Sequence, residues 1–259
     1  MSDEIPIPVL VLAAGAGTRL PGQVPKPFRQ VYFAGEQLQM WEQAIASLHT
    51  IPARVHVAIQ RADSLFFLSS LRRQAAELIQ LEPTRGQADT LLQGLKVMER
   101  RSIDWNGHRI PDVLVVNCDQ GFDPPHLDEM VRMGRFYGHA VAATFLAGPE
   151  EEERWSYVDE GLLRVNDQYP TFTTAAEKRC IGPRALAGAY YFPMRDVLLA
   201  ATAEAVQKTA GTGWEPYVSH VYDFLPGDKV AMDLPREAWY DWGTTKALDK
   251  YEATTRVPL

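Results

Sequence analysis

Two patterns in this chain bring together side chains suited to phosphate chemistry. One is Leu12-Ala13-Ala14-Gly15-Ala16-Gly17-Thr18-Arg19-Leu20, followed by Pro25-Lys26-Pro27-Phe28. Glycines let the backbone turn sharply and approach a ligand closely. Successive N–H groups in such a turn form a nest for an anion. Arg19 adds a planar fork of donors and Lys26 a compact positive charge, both suited to phosphate oxygens. The other pattern is a pair of aspartates. Asp119 follows Val113-Leu114-Val115-Val116-Asn117-Cys118, and Asp241 stands in Trp239-Tyr240-Asp241-Trp242-Gly243-Thr244. Magnesium uses one or two carboxylates together with substrate phosphates.

Each pattern has rival readings. A dinucleotide-binding loop requires a third glycine where Leu20 stands, and an ATPase P-loop requires Gly-Lys-Ser/Thr, which is absent. A strand-to-loop turn with incidental charges accounts for the glycines alone. Asp119 also fits a turn or helix N-cap before Gly121. Asp241-Trp242-Gly243-Thr244 fits a turn into a helix over residues 245–251 with Thr244 or Thr245 as its cap.

The elements around these residues decide whether they can meet. Residues 9–14 and 113–117 are continuous apolar runs, as in strands covered on both faces, and residues 55–59 form a similar short strand. Apolar residues recur at helical spacing over 37–48, 64–78 and 88–99. That alternation predicts a parallel sheet flanked by helices, with ligands beyond the carboxyl ends of the strands. There the glycine loop and Asp119 both lie. Further on, residues 141–146 and 186–192 read as strands, 157–163 as two short strands around a turn, and 196–208 as a helix. The acidic run 150–153 reads as a solvated loop. The fold class expected is α/β: a single Rossmann-like, GT-A-like domain over residues 1–259 with a mostly parallel central sheet.

Taken together, the motifs resemble the sugar-phosphate nucleotidyltransferase superfamily. Its signature is Leu-x-x-Gly-x-Gly-x-Arg-Leu followed by Pro-Lys-Pro. The resemblance spans residues 10–248 and implies transfer of a nucleoside monophosphate from an NTP to a sugar 1-phosphate, with release of pyrophosphate. It implies a nucleotide site on Leu12, Ala13, Ala14, Gly15, Ala16, Gly17 and Thr18, with Arg19 and Lys26 as catalytic cations. Asp119 and Asp241 match the family's two Mg2+ ligands. Gly86-Gln87-Ala88 resembles the segment that contacts base and ribose. Glu177-Lys178 and the strand containing Gly188 resemble the acceptor site, where the lysine holds the phosphate. Glu215 resembles a further acceptor glutamate, and Trp155-Ser156-Tyr157 the segment flanking the acceptor. Asn117-Cys118-Asp119-Gln120 and Trp155-Ser156-Tyr157-Val158 look closer to a branch associated with capsule and surface-polysaccharide genes. That likeness leaves the acceptor open between a sugar 1-phosphate and a non-sugar phosphate such as a phosphorylated amino-acid amide. The resemblance assigns residues 1–135 mainly to the NTP and 136–259 mainly to the acceptor, and leaves a homo-oligomer open.

Composition bounds the alternatives. The chain has 259 residues, 46% of them hydrophobic, enough for one sizeable core. Its formal net charge of -7 offers no excess of basic residues to replace counterions on nucleic acid. Cys118 and Cys180 form no CxxC pair, and the six histidines have no metal-ligand spacing. The apolar run near the N-terminus is too short to span a bilayer and lacks the basic start of a signal peptide. No membrane or nucleic-acid partner is expected, and a cytoplasmic location is.

Overall fold

The structure is a computed structural model. It describes residues 5–15, 24–33, 36–48, 50–68, 76–101, 111–148, 151, 154–161 and 163–255. Arg19, Ala16, Gly17 and Thr18 therefore lie outside the described residues.

The first half runs β1 (Ile7–Ala13), β2 (Gln30–Phe33), β3 (Glu36–Gln39), α1 (Met40–Ala44), β4 (Ala53–Gln60), α2 (Ser64–Phe67), β5 (Ala76–Leu81), α3 (Gln87–Arg101), β6 (Val113–Asn117), β7 (Gln120–Phe122) and α4 (His126–Tyr137). The second half runs β8 (Val141–Leu146), β9 (Ser156–Val158), β10 (Arg164–Val165), β11 (Tyr169–Phe172), β12 (Ala175–Glu177), β13 (Arg184–Phe192), α5 (Arg195–Lys208), β14 (Lys229–Asp233), β15 (Trp239–Asp241) and α6 (Thr245–Thr255).

Strand order in the main sheet is β10-β11-β14-β8-β13-β6-β1-β4-β5. The β6-β1-β4-β5 block is parallel throughout. β13 runs antiparallel to both β6 and β8, while β14 pairs with β8 in parallel. The sheet is thus mixed, with mostly parallel core strands, in the Rossmann-like, GT-A-like manner.

Side chains alternate between two cores because successive residues of a strand point to opposite faces. Val9, Val11, Leu114 and Val116 join the core beneath α1 and α4. Leu10, Leu12, Val113 and Val115 join the core beneath α3 and α5. Covered on both sides, β1 and β6 are apolar without interruption, and their carboxyl ends are left for chemistry.

Two segments expected to be helical are partly strand. Within 64–78, the described residues are helical over Ser64–Phe67, and Leu78 lies in β5, which pairs in parallel with β4. The apparent helical stripe does not mark a core face, since Leu65 and Leu68 are exposed. Within 37–48, β3 pairs with β2 before the short α1 begins. Among the described residues of 157–163 no hairpin pairing is present. β9 pairs with β12 and β13 instead, so the pairing is long-range. Glu151, in the acidic run, is half-buried and lies 3.4 Å from Arg236.

Candidate functional site

The site is assembled where β1 and β6 end. The β1 end is tied down twice: Cys118 N–H donates to the Leu12 carbonyl at 3.3 Å, and the Gln60 amide donates to the Ala14 carbonyl at 3.0 Å. Beyond β6 the chain turns through Cys118-Asp119 into β7. β15 pairs antiparallel with β7, placing Asp241 opposite Gln120. Trp242 N–H donates to the Asp119 carbonyl at 2.9 Å. These pairings bring the two aspartates together despite their separation in sequence. Trp242 anchors the crossing in a small core with Val31, Met40, Leu248 and Tyr251. Thr244 caps the following helix by accepting the Ala247 N–H at 3.2 Å.

The two carboxylates face one another across Gly243. A Cβ at that glycine would stand 2.9 Å from both Asp119 Oδ2 and Asp241 Oδ1. The two oxygens are therefore no more than twice that distance apart. The Lys26 ammonium pairs with Asp119 Oδ2. Arg154 Nη2 lies 2.6 Å from Asp241 Oδ2, and Gly243 N–H donates to Asp241 Oδ1 at 2.8 Å. Burial lifts the Asp241 carboxyl above the usual range and Asp119 adds to the shift, while Gly243 and Arg154 offset part of it. The Cys118 thiol is pushed up to about 12 by burial and by Asp119, so it is a poor nucleophile.

The donor set fits a hard divalent cation. Two oxygen ligands converge from one side, and their mutual repulsion is relieved by positive charge between them. Among the described residues no three His, Cys, Asp or Glu side chains cluster as an all-protein cage. Further ligands would then come from water or phosphate.

Two cavities meet at Asp119. The first, of about 260 Å³, is lined by Leu12, Ala13, Gly15, Lys26, Gly86 and Gln87, among others. The second, of about 110 Å³, is lined on its far side by Arg154, Trp155, Ser156, Glu177, Tyr190 and Asp241. Gln87, Asn117 and Asp119 line both. α3 begins at this junction, where Ala88 N–H is satisfied by the Pro216 carbonyl at 2.8 Å. Gly86 is obligatory there, since a Cβ would stand 2.4 Å from Glu215 Cγ and 2.8 Å from the Pro216 carbonyl oxygen.

The structure thus brings Leu12, Ala13, Gly15, Lys26, Gly86, Gln87, Asp119, Glu177 and Asp241 to one cleft. The remaining expected residues are placed differently. Glu215, expected beside the acceptor, lines the first cavity, where it accepts the Tyr217 hydroxyl at 2.9 Å. Lys178 is exposed, with φ of 52°, and its ammonium lies 5.9 Å from the Tyr217 ring centre. Tyr157 is buried and donates to the Glu151 carbonyl at 2.8 Å, so it supports the wall from behind. Gly188 has φ of 87°, and a Cβ there would stand 1.4 Å from Gln120 Oε1. It makes room for the Gln120 side chain.

Arg154 carried no weight in the sequence reading because its partner, Asp241, lies far along the chain. Asn117, Gln120 and Trp155 each bury a polar atom without a hydrogen-bond partner: Oδ1, Oε1 and Nε1 respectively. All three residues line the second cavity. Buried polar atoms left unpaired in a cavity wall are expected where a ligand or water completes them.

Comparison with known proteins adds three findings. A family model described as the MobA-like NTP transferase domain matches residues 9–212. No individually curated protein sequence matches significantly. Solved structures match in fold over nearly the whole chain. An apo UDP-glucose pyrophosphorylase is 14% identical with a TM-score of 0.75, covering 96% of this chain and 98% of that one. A nucleoside-diphosphate-sugar pyrophosphorylase from Vibrio cholerae RC9 is 18% identical with a TM-score of 0.67, covering 94% and 98%. A UTP-bound UGPase from Acinetobacter baumannii is 13% identical with a TM-score of 0.71, covering 96% and 93%. At these identities the likeness is one of fold.

Proposed function

The chain belongs to the MobA-like NTP transferase domain family, and from that premise we propose that its cleft joins a nucleoside monophosphate from an NTP to a sugar 1-phosphate, releasing pyrophosphate. The observation that carries this reading is the meeting of Asp119 and Asp241 across Gly243, where the two cavities join. The solved structures of similar fold, a UDP-glucose pyrophosphorylase and a UTP-bound UGPase among them, support it.

In this reading the first cavity takes the nucleotide. The segment Leu12, Ala13, Ala14, Gly15, Ala16, Gly17 and Thr18 meets its phosphates. Gly86 admits the base closely, and Gln87 reads its edge through the side-chain amide. Lys26 and Arg19 neutralise charge that develops on the phosphates as the bond to pyrophosphate breaks. Asp119 and Asp241 would hold Mg2+, which when bound screens the α-phosphate charge and polarises it toward attack. An acceptor phosphate is already ionised at neutral pH and needs no general base. Catalysis is then mostly alignment within the cleft. Glu177 meets the acceptor while Lys178 stays exposed outside the cavity wall, Gly188 keeps the wall open, Tyr157 braces it and Glu215 closes the nucleotide side. Residues 1–135 supply most nucleotide contacts and 136–259 most acceptor contacts, within one domain.

The setting proposed is cytoplasmic supply of surface-polysaccharide precursors, by a chain that can act as a homo-oligomer. No described helix is long and apolar enough to cross a membrane. A second reading, transfer of a cytidylyl group to a non-sugar phosphate such as a phosphorylated amino-acid amide, draws support from the likeness of Asn117-Cys118-Asp119-Gln120 and Trp155-Ser156-Tyr157-Val158 to the capsule-associated branch.

The test is a pyrophosphate-release screen of four NTPs against sugar 1-phosphates and non-sugar phosphates, with and without Mg2+. Release with a sugar 1-phosphate supports the first reading. Release only with a non-sugar phosphate replaces it by the second, and no release with any pair contradicts both.

A further inference from the structure

We propose that Arg154 is the side chain that receives the acceptor's phosphate, and that the substrate-free protein withholds it by pinning it on Asp241. The proposal rests on the nucleotidyltransferase reading of the cleft and adds to it a residue and an order of binding.

The second cavity is electrostatically unsuited to a phosphate as it stands. Its wall carries three carboxylates, Asp119, Glu177 and Asp241. Among the described residues lining it, Arg154 is the one cation. A phosphate dianion placed among three carboxylates is repelled unless a cation stands beside it. Lys178, the cation expected from the sequence, is exposed and does not line the wall.

Arg154 is built for the task. Its guanidinium lies over the Trp155 ring, 4.3 Å from the ring centre. Trp155 is fixed in turn, edge-on to Phe145 at 5.5 Å and to Trp239 at 5.2 Å. A stacked guanidinium keeps its plane and offers its remaining N–H groups in the fork geometry that phosphate oxygens accept.

Asp241 supplies the restraint. Its Oδ1 accepts the Gly243 N–H and its Oδ2 lies 2.6 Å from Arg154 Nη2. A divalent cation held between Asp119 and Asp241 shares the Asp241 carboxylate with Arg154, drawing its charge away from the ion pair and repelling the guanidinium. Arg154 is then released while still stacked on Trp155, next to the cleft. Such competition is a coupling free energy and works in both directions. Arg154 weakens cation binding in the empty cleft, and cation binding readies Arg154 for the acceptor. The acceptor would follow cation and nucleotide.

The experiment measures Mn2+ binding by calorimetry on the full chain without substrates. Arg154→Gln should bind Mn2+ about two- to fivefold more tightly than wild type, because a half-exposed ion pair no longer competes. Arg154→Lys should stay near wild type. With the substrate pair identified by pyrophosphate release, Arg154→Gln should raise the acceptor KM about tenfold or more, with the NTP KM unchanged and Arg154→Lys between. Unchanged or weaker Mn2+ binding by Arg154→Gln, or an unchanged acceptor KM, overturns the proposal. Asp241→Asn separates the two levels. Mn2+ affinity that survives this change overturns the metal assignment itself, whereas its loss alongside an unaltered Arg154→Gln affinity overturns only the latch.

Discussion

The two cavities that meet at Asp119 are built in different ways. The first rests on regular structure: the ends of the parallel strands β1 and β6 and the first turn of α3. Its shape is set by backbone, with Gly15 and Gly86 in its wall. The second is made of side chains from antiparallel segments, the short β9, β12 and β15 and the longer β13, that reach it by long-range pairing. Its shape is set by ion pairs and stacked rings, with Arg154 on Trp155 and Glu177 receiving the Ser156 hydroxyl. A site formed by backbone holds the part of a substrate common to a whole family. A site formed by side chains can be changed residue by residue, and so is where specificity is expected to vary.

The sharpest break in this contrast is Asp119, which serves both cavities. Asp119→Asn should lower turnover by about a hundredfold or more with every substrate pair, measured as pyrophosphate release. An effect confined to one substrate would mean that the cavities are independent.

Gly188→Ala probes the second cavity alone. The new Cβ would meet Gln120 Oε1 at a position with φ of 87°. The expected cost is roughly 2–4 kcal/mol of stability, with a raised acceptor KM and an unchanged NTP KM. Gly86→Ala is its counterpart in the first cavity. Contact with the Pro216 carbonyl should cost about 1–2 kcal/mol and raise the NTP KM while sparing the acceptor. Thermal melts and steady-state kinetics on both variants would show whether the two effects separate or mix.

The smallest effect expected is pH-dependent and belongs to the loop behind the second cavity. Burial alone would raise the Asp159 carboxyl, but bonds from the Thr173 hydroxyl and the Thr174 and Thr173 N–H groups hold it below the usual range. A carboxylate lowered on folding stabilises the protein above its unfolded pKa and loses that contribution as pH falls through the folded pKa. Asp159→Asn should therefore melt slightly below wild type at neutral pH, with the gap closing on acidification. A gap that persists in acid would assign the difference to packing.

The same contrast explains what could be read from the sequence. Continuous apolar runs announced β1 and β6 because burial on both faces forbids polar alternation. Gly15, Lys26, Asp119 and Gly86, which the structure brings to one cleft, each sit in a short local motif of the sequence. β5 was misread because Leu65, Leu68 and Leu78 mimic a helical stripe, although the first two are exposed. β15 has no local signature because, among the described residues, it pairs only with β7, more than a hundred residues away. Arg154 has no local signature, and the motif around Gln120 does not tell where its side chain goes. Their placement follows from Trp155 packing against Phe145 and Trp239, and from the space left by Gly188.

The central claim is that Asp119 and Asp241 together hold one divalent cation at the junction of the cavities. Crystals grown with Mn2+ and an NTP, with diffraction collected to locate manganese by its anomalous signal, test this directly. The account predicts one strong peak within coordination distance of both carboxylates. A peak bound by neither, or by only one with the other still paired to its cation, would contradict it.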